Sequence, residues 1–230
     1  ALEIRNLFIG VYHDWTAGVS TRQPIPAVDI LKVQAECRAI DDDMRWLIAL
    51  ISDTGMRLAE AAGLHINDIH LDEEIPHVDV RPHPWRRLKT SSSQRQIPLV
   101  GASLYAAKRI RANASSCFAF PRYTNNARCN ANSASNALNK WIQANFRNDI
   151  VIHGFRHAMR DYFRAVSCPT EMIHQIGGWS SGKVGEGYGE GFRLTQVFQA
   201  LLSLNLEAKP NFTTENWWPW VSLLRWSCAA

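Results

Sequence analysis

The chain has 230 residues, 46% of them apolar, and a formal net charge of +4. That length can fill one core without disulfides or structural metal, and the five scattered cysteines (Cys37, Cys117, Cys129, Cys168, Cys228) form no CxxC pair, which argues against a disulfide framework or a zinc ribbon. With no apolar run of ~18 residues and no basic-then-apolar leader at its start, the sequence reads as a cytoplasmic protein with reduced thiols and no membrane partner.

Residues 1–26 are irregular, with Gly18, Pro24 and Pro26 breaking any period. A helix is expected from Pro26, carrying Ile30, Leu31, Val33 and Ala35, since proline suits a first helical turn. Asp41 to Asp43 open a second helix with Met44, Leu47, Ile48 and Ile51 on its apolar stripe, and Gly55 closes it. Thr54 is expected to cap a third helix, Arg57 to Gly63, with Leu58, Ala61 and Ala62 facing inward. The period then changes: 77–80 and 94–99 alternate as short strands around a basic, serine-rich turn. Helices resume at 102–112, at 134–146, near His153, from Thr170 to Gly177, and through Leu194, Val197, Phe198, Leu201 and Leu202. The expected class is mainly α with a small antiparallel β-sheet.

Charge is unevenly distributed. Between Asp79 and Asp149 there is no carboxylate, yet twelve basic residues: Arg81, Arg86, Arg87, Lys89, Arg95, Lys108, Arg109, Arg111, Arg122, Arg128, Lys140 and Arg147. Such segregation suits a surface lying against a polyanion, although a solvated basic face would read the same.

Five short stretches carry chemistry. They are Thr54-Gly55-Met56-Arg57-Leu58-Ala59-Glu60, Leu88-Lys89-Thr90-Ser91-Ser92-Ser93, His153-Gly154-Phe155-Arg156-His157, Gly177-Gly178-Trp179, and Gly185-Glu186-Gly187-Tyr188-Gly189-Glu190-Gly191. Each has an ordinary reading alone. Arg57 with Glu60 at i, i+3 would be a surface ion pair, Lys89 a solvated lysine, Trp179 a packing anchor, and His153 with Arg156 a helix cap. His153 and His157 at i, i+4 lack the HExxH glutamate, so no metal is read there. The glycine-flanked Tyr188 follows no strand and carries two carboxylates, which argues against a nucleotide loop and suits a backbone that must move.

In this order over about 135 residues, the five stretches resemble the active-site boxes of the tyrosine recombinases of the phage-integrase family. The resemblance covers roughly residues 27–203. It implies a catalytic domain that cuts and rejoins double-stranded DNA through a 3′-phosphotyrosyl intermediate, with no cofactor, metal or ATP, acting as a tetramer on DNA. Tyr188 would be the nucleophile, and Arg57 and Arg156 would fork onto phosphate oxygens, as planar guanidinium groups can. Lys89 would be the general acid, because a desolvated lysine among arginines gives up its proton more readily. His153 would assist proton transfer, Trp179 would donate its indole N–H, and Glu60 would orient Arg57. Arg86, Arg87 and Arg95 are the expected DNA-binding residues. The same set allows a non-catalytic or topoisomerase-like DNA-binding remnant of this fold. The expected organisation is a linker or remnant of a preceding DNA-binding domain at 1–26, the catalytic domain at 27–206, and a tryptophan-rich tail at 207–230; with so little before the first catalytic helix, the chain reads as a fragment or truncated copy.

Overall fold

The computed structural model describes residues 24–179 and 191–204. Eight helices and three strands are described: α1 Ala27–Ile40, α2 Asp43–Thr54, α3 Leu58–Ala62, β1 Ile69–His70, β2 His77–Val80, β3 Arg95–Pro98, α4 Gly101–Ala112, α5 Ala131–Asn145, α6 Ile152–Ala165, α7 Thr170–Gly177 and α8 Leu194–Ser203. The class is therefore mainly α with one small antiparallel sheet, as the sequence implies.

Helix α2 is the centre. Its run from Leu47 to Ile51 is buried on successive positions, the pattern of a helix covered on all sides, and it packs against α1, α4 and α6. Asp42 caps it by accepting the Arg45 N–H at 3.0 Å. On α6, Ile152, Phe155, Met159 and Phe163 recur at helical spacing and are buried. Gly55 ends α2 at φ +58°, and a Cβ there would clash with the Met159 sulfur. This tight crossing lets the chain turn at once into Arg57.

The sheet order is β1-β2-β3, antiparallel throughout, with Ile69 opposite Val78, Val78 opposite Ile97, and Val80 opposite Arg95. Side chains alternate across a strand. Ile69, Val78, Val80 and Ile97 are buried in the core, so Arg95 shares their inward face, while His70, His77, Asp79 and Gln96 share the outer one.

Four expectations need correction. Thr54 does not cap α3: it is the last residue of α2, and its hydroxyl donates back to the Leu50 carbonyl at 2.6 Å. The cap is made by Glu60, whose carboxylate accepts the Arg57 N–H at 2.9 Å. Ala35 is exposed, because the buried stripe of α1 runs through Ile30, Val33 and Cys37. Helix α5 begins at Ala131 rather than 134, since the Asn130 side chain accepts the Ser133 N–H at 3.1 Å. The basic stretch is not a free surface either. Six of its twelve cations pair with carboxylates brought up by the fold: Arg81 with Asp68, Arg95 with Glu60, Arg109 with Asp41, Arg111 with Asp72, Arg122 with Asp43, and Arg147 with Asp29 and Asp149. Arg87, Lys89, Lys108, Arg128 and Lys140 remain exposed.

Candidate active site

Three chain segments converge where α2 gives way to α3. Arg57 stands at the start of α3, 20% exposed, and its Nη1 donates to Glu60 Oε1 at 2.6 Å and to the Ser93 hydroxyl at 3.0 Å. Its Nη2 donates to the Gly178 carbonyl at 2.9 Å. Glu60 is 3% exposed and also accepts from Arg95 Nη2 at 2.9 Å. Arg95 in turn donates to the Ile176 and Ser93 carbonyls. One carboxylate thus holds two guanidinium groups, and those groups hold the end of α7.

Arg156 enters from α6. It is 2% exposed and donates to the Gly55 carbonyl at 2.7 Å and the Gly177 carbonyl at 2.5 Å. Two neutral acceptors fix its direction but supply no countercharge. Burial, reinforced by the like charges of Arg57 and Arg95 and opposed by Glu60, pushes this guanidinium down to about 9. Burial would raise the Glu60 carboxyl, yet the charge and hydrogen bond of Arg95, followed by those of Arg57, hold it below its ordinary range. Three guanidinium groups around one carboxylate leave the cluster net positive in a dry setting, where an anion gains most.

Trp179 covers Arg156, with the guanidinium carbon 4.1 Å from the ring centroid and that of Arg160 at 5.2 Å. The ring lies on Gly177, where a Cβ would clash with it. Gly178 follows at φ +61°, in contact range of Arg95. Small residues are therefore required before Trp179 for the ring and both arginines to close together.

Of the residues expected at the site, Arg57, Glu60, Arg156 and Trp179 come together. His153 is exposed one turn before Arg156 on α6, its ring 4.8 Å from that of His157. Lys89 is exposed on the β2–β3 connection, so the desolvation expected of it is not met in the chain alone. Tyr188 lies outside the described residues. Two of the three expected DNA-binding residues are corrected. Arg95 is buried, and it points inward because it shares the face of Ile97. Arg86 is 4% exposed, with its stem against Gly63, and burial pushes its guanidinium down. Arg87 alone is exposed. Sequence reasoning missed Ser93 and Arg160, and it missed Arg95 as part of the cluster. The alternation of Gln94 and Gln96 with Arg95 and Ile97 was the available signal for Arg95.

The phage integrase family model matches residues 27–189, most of the chain. The chain belongs to the phage integrase family. It is 29% identical over 139 residues to tyrosine recombinase XerC of Neisseria meningitidis serogroup B (strain ATCC BAA-335 / MC58), a match that takes in 59% of this chain and 43% of that relative. The chain thus matches less than half the length of that curated family member. Among solved structures it is similar to the integrase from mycobacterium phage Brujita, with TM-score 0.60 and 16% identity, over 85% of this chain and 62% of that one. XerA recombinase gives TM-score 0.53 and 18% identity over 84% and 66%. The Tn1549 transposon integrase, solved in complex with transposon right end DNA, gives 0.53 and 16% over 85% and 69%. At these identities the structural likenesses establish the fold of this family member. No helix among the described residues is long and apolar enough to cross a membrane.

Proposed function

We propose that this phage integrase family chain carries the strand-transfer chemistry of a tyrosine recombinase on double-stranded DNA, with Tyr188 as nucleophile. The observation that carries the reading is the buried cluster of Arg57, Arg95 and Arg156 around the single carboxylate of Glu60. A fold that holds this excess of positive charge away from water is complementary to a phosphodiester whose oxygens gain charge during displacement.

In the proposed step the Tyr188 oxygen attacks phosphorus as its proton leaves, with His153 assisting. The bond from phosphorus to the 5′ oxygen breaks, and that oxygen takes a proton from Lys89. The strand is left as a 3′-phosphotyrosine, so the reverse attack by a 5′ hydroxyl rejoins DNA with no energy source. Arg57 is the partly open guanidinium that meets the phosphate. Arg156, under Trp179, adds charge and donors from beneath. Lys89 becomes desolvated only when DNA covers the β2–β3 connection.

The other described tyrosines are hydrogen-bonded elsewhere or buried. Tyr162 donates to the Ile25 carbonyl at 2.6 Å, and burial pushes its phenol up to about 12. Tyr105 donates to Asp41 at 2.5 Å. Tyr123 is buried and pushed up by that burial. A phenol shifted upward is a poorer nucleophile at neutral pH.

A nicked suicide substrate tests the reading. The parent chain should form a covalent DNA adduct that maps to Tyr188, and Tyr188→Phe should bind DNA without forming one. Arg57→Ala should slow adduct formation by ~10²–10³-fold, as loss of a preorganised donor does. An adduct mapped to Tyr162 or Tyr123, or an undiminished one in Tyr188→Phe, would overturn the assignment. Assembly as a tetramer on DNA is part of the same proposal, and analytical ultracentrifugation with a target duplex checks it.

A further inference from the structure

The outer face of the sheet carries side chains that strand transfer does not use. His70 lies opposite His77 in the β1–β2 register, and Asp79 follows two residues on along β2. The two imidazoles stack with centroids 4.6 Å apart and 13° between planes. One ligand atom from each of His70, His77 and Asp79 lies within 4.8 Å of the others.

Hydrogen bonding decides where the lone pairs point. His77 Nδ1 is 2.9 Å from the Ile75 carbonyl, which can only accept, so Nδ1 carries the proton and Nε2 keeps a lone pair. That Nε2 sits 3.2 Å from the Gln96 side-chain nitrogen and 3.7 Å from Asp79 Oδ1. His70 stands between two carboxylates, with Nδ1 3.1 Å from Glu73 Oε1 and Nε2 3.1 Å from Asp79 Oδ2. A neutral imidazole has one proton, so one of these contacts sets a lone pair against an anionic oxygen. When Nδ1–H is given to Glu73, the His70 Nε2 lone pair faces the Asp79 carboxylate, while the His77 Nε2 lone pair beside it accepts from the Gln96 amide, which also donates to Asp79 Oδ1 at 3.0 Å. A cation at this cluster would take the place of the Gln96 amide and relieve the contact between the His70 lone pair and the carboxylate.

We propose that His70, His77 and Asp79 form a binding site for a borderline divalent metal ion, with zinc the best match. Two imidazole nitrogens and one carboxylate suit zinc rather than magnesium or calcium, which take oxygen ligands. The Ile75 carbonyl and Glu73 are the outer partners that orient the two rings, as is usual for metal-bound histidine. Zinc bonds of ~2.0–2.2 Å would draw Asp79 and His70, 25% and 29% exposed, slightly inward. The ion would tie β1 to β2 on the face opposite Arg95, next to the connection that carries Lys89.

Isothermal titration of the full chelator-treated chain with zinc chloride tests this, with cobalt(II) absorption as a second probe. We expect one saturable equivalent, abolished by His70→Ala or Asp79→Asn and weakened roughly 10- to 100-fold by Glu73→Gln. His157→Ala, which removes the imidazole partner on α6, should bind as the parent does. Because His77 is buried, it is read in the unaltered protein, where zinc should shift the imidazole NMR signals of His70 and His77 together. A flat titration, binding that survives Asp79→Asn and His70→Ala, or a cobalt thiolate band each overturns the proposal.

Discussion

Replacing Glu60 with glutamine isolates the charge that holds the cluster together. The carboxylate accepts three bonds, from Arg57 N–H, Arg57 Nη1 and Arg95 Nη2, and is 3% exposed. Glutamine keeps the shape and one acceptor. Its amide nitrogen must then face a guanidinium or the Arg57 N–H, donor against donor, and the single countercharge is gone. Removing one partner of a buried pair costs about 3–5 kcal/mol, and the retained acceptor places Glu60→Gln near the lower figure. For a domain of this size that is a fall in Tm of about 6–12 °C, readable by circular dichroism. The sign with pH follows from the Glu60 carboxyl being held below its ordinary range. A depressed folded-state value means the stabilisation is present above the unfolded carboxylate range and is lost as pH falls through the lower folded value. The gap between parent and variant should therefore close on acidification. A loss below about 1 kcal/mol at neutral pH, no more than an exposed pair contributes, or a gap that does not narrow in acid, would refute the view that Glu60 neutralises a dry arginine cluster.

Trp179→Ala should slow covalent adduct formation roughly 30-fold, the equivalent of a desolvated cation–π contact of about 2 kcal/mol, while Trp179→Phe keeps the ring over Arg156 and most of the rate. Single-turnover rates decide it: a Phe variant as slow as the Ala variant would move the role from the ring to the indole N–H. Arg87→Glu should weaken duplex binding and reduce the slope of log K against log salt by about 1, whereas Arg95→Glu should be recovered unfolded or nearly so, since it sets two carboxylates together in the core. A folded Arg95→Glu chain with an altered salt slope would restore Arg95 as a surface contact.

Much of the site was legible because its signals are local. Arg57 and Glu60 are three residues apart on one turn, His153 and Arg156 likewise, and Gly177-Gly178-Trp179 is a contiguous phrase. The helices with a full apolar stripe, α2 and α6, were readable for the same reason. Other features depend on contacts made across the chain. The acid-free stretch looked like an exposed cationic surface, but Asp29, Asp41, Asp43, Glu60, Asp68 and Asp72 all come from earlier in the sequence, and only folding pairs them with it. Strand β1 is two residues long, too short to show alternation. Thr54 precedes a helix in sequence and so reads as a cap, but the α2 backbone offers its hydroxyl a carbonyl one turn back, and that local bond wins.

The placement of Arg156 shows how this fold reconciles stability with an anion site. Its two bonds go to the carbonyls of Gly55 and Gly177, the residues where α2 and α7 end, so the same guanidinium that would act on phosphate also satisfies helix-terminal acceptors. Because those acceptors are neutral, the charge stays uncompensated, and its depressed value of about 9 records the cost. A buried cation with no countercharge weakens the fold, and an anion at the cluster relieves that cost because it restores the countercharge. Binding a phosphodiester and completing the electrostatics of the fold are then one event, and differential binding of this kind stabilises whichever state puts the most negative charge on the phosphate oxygens.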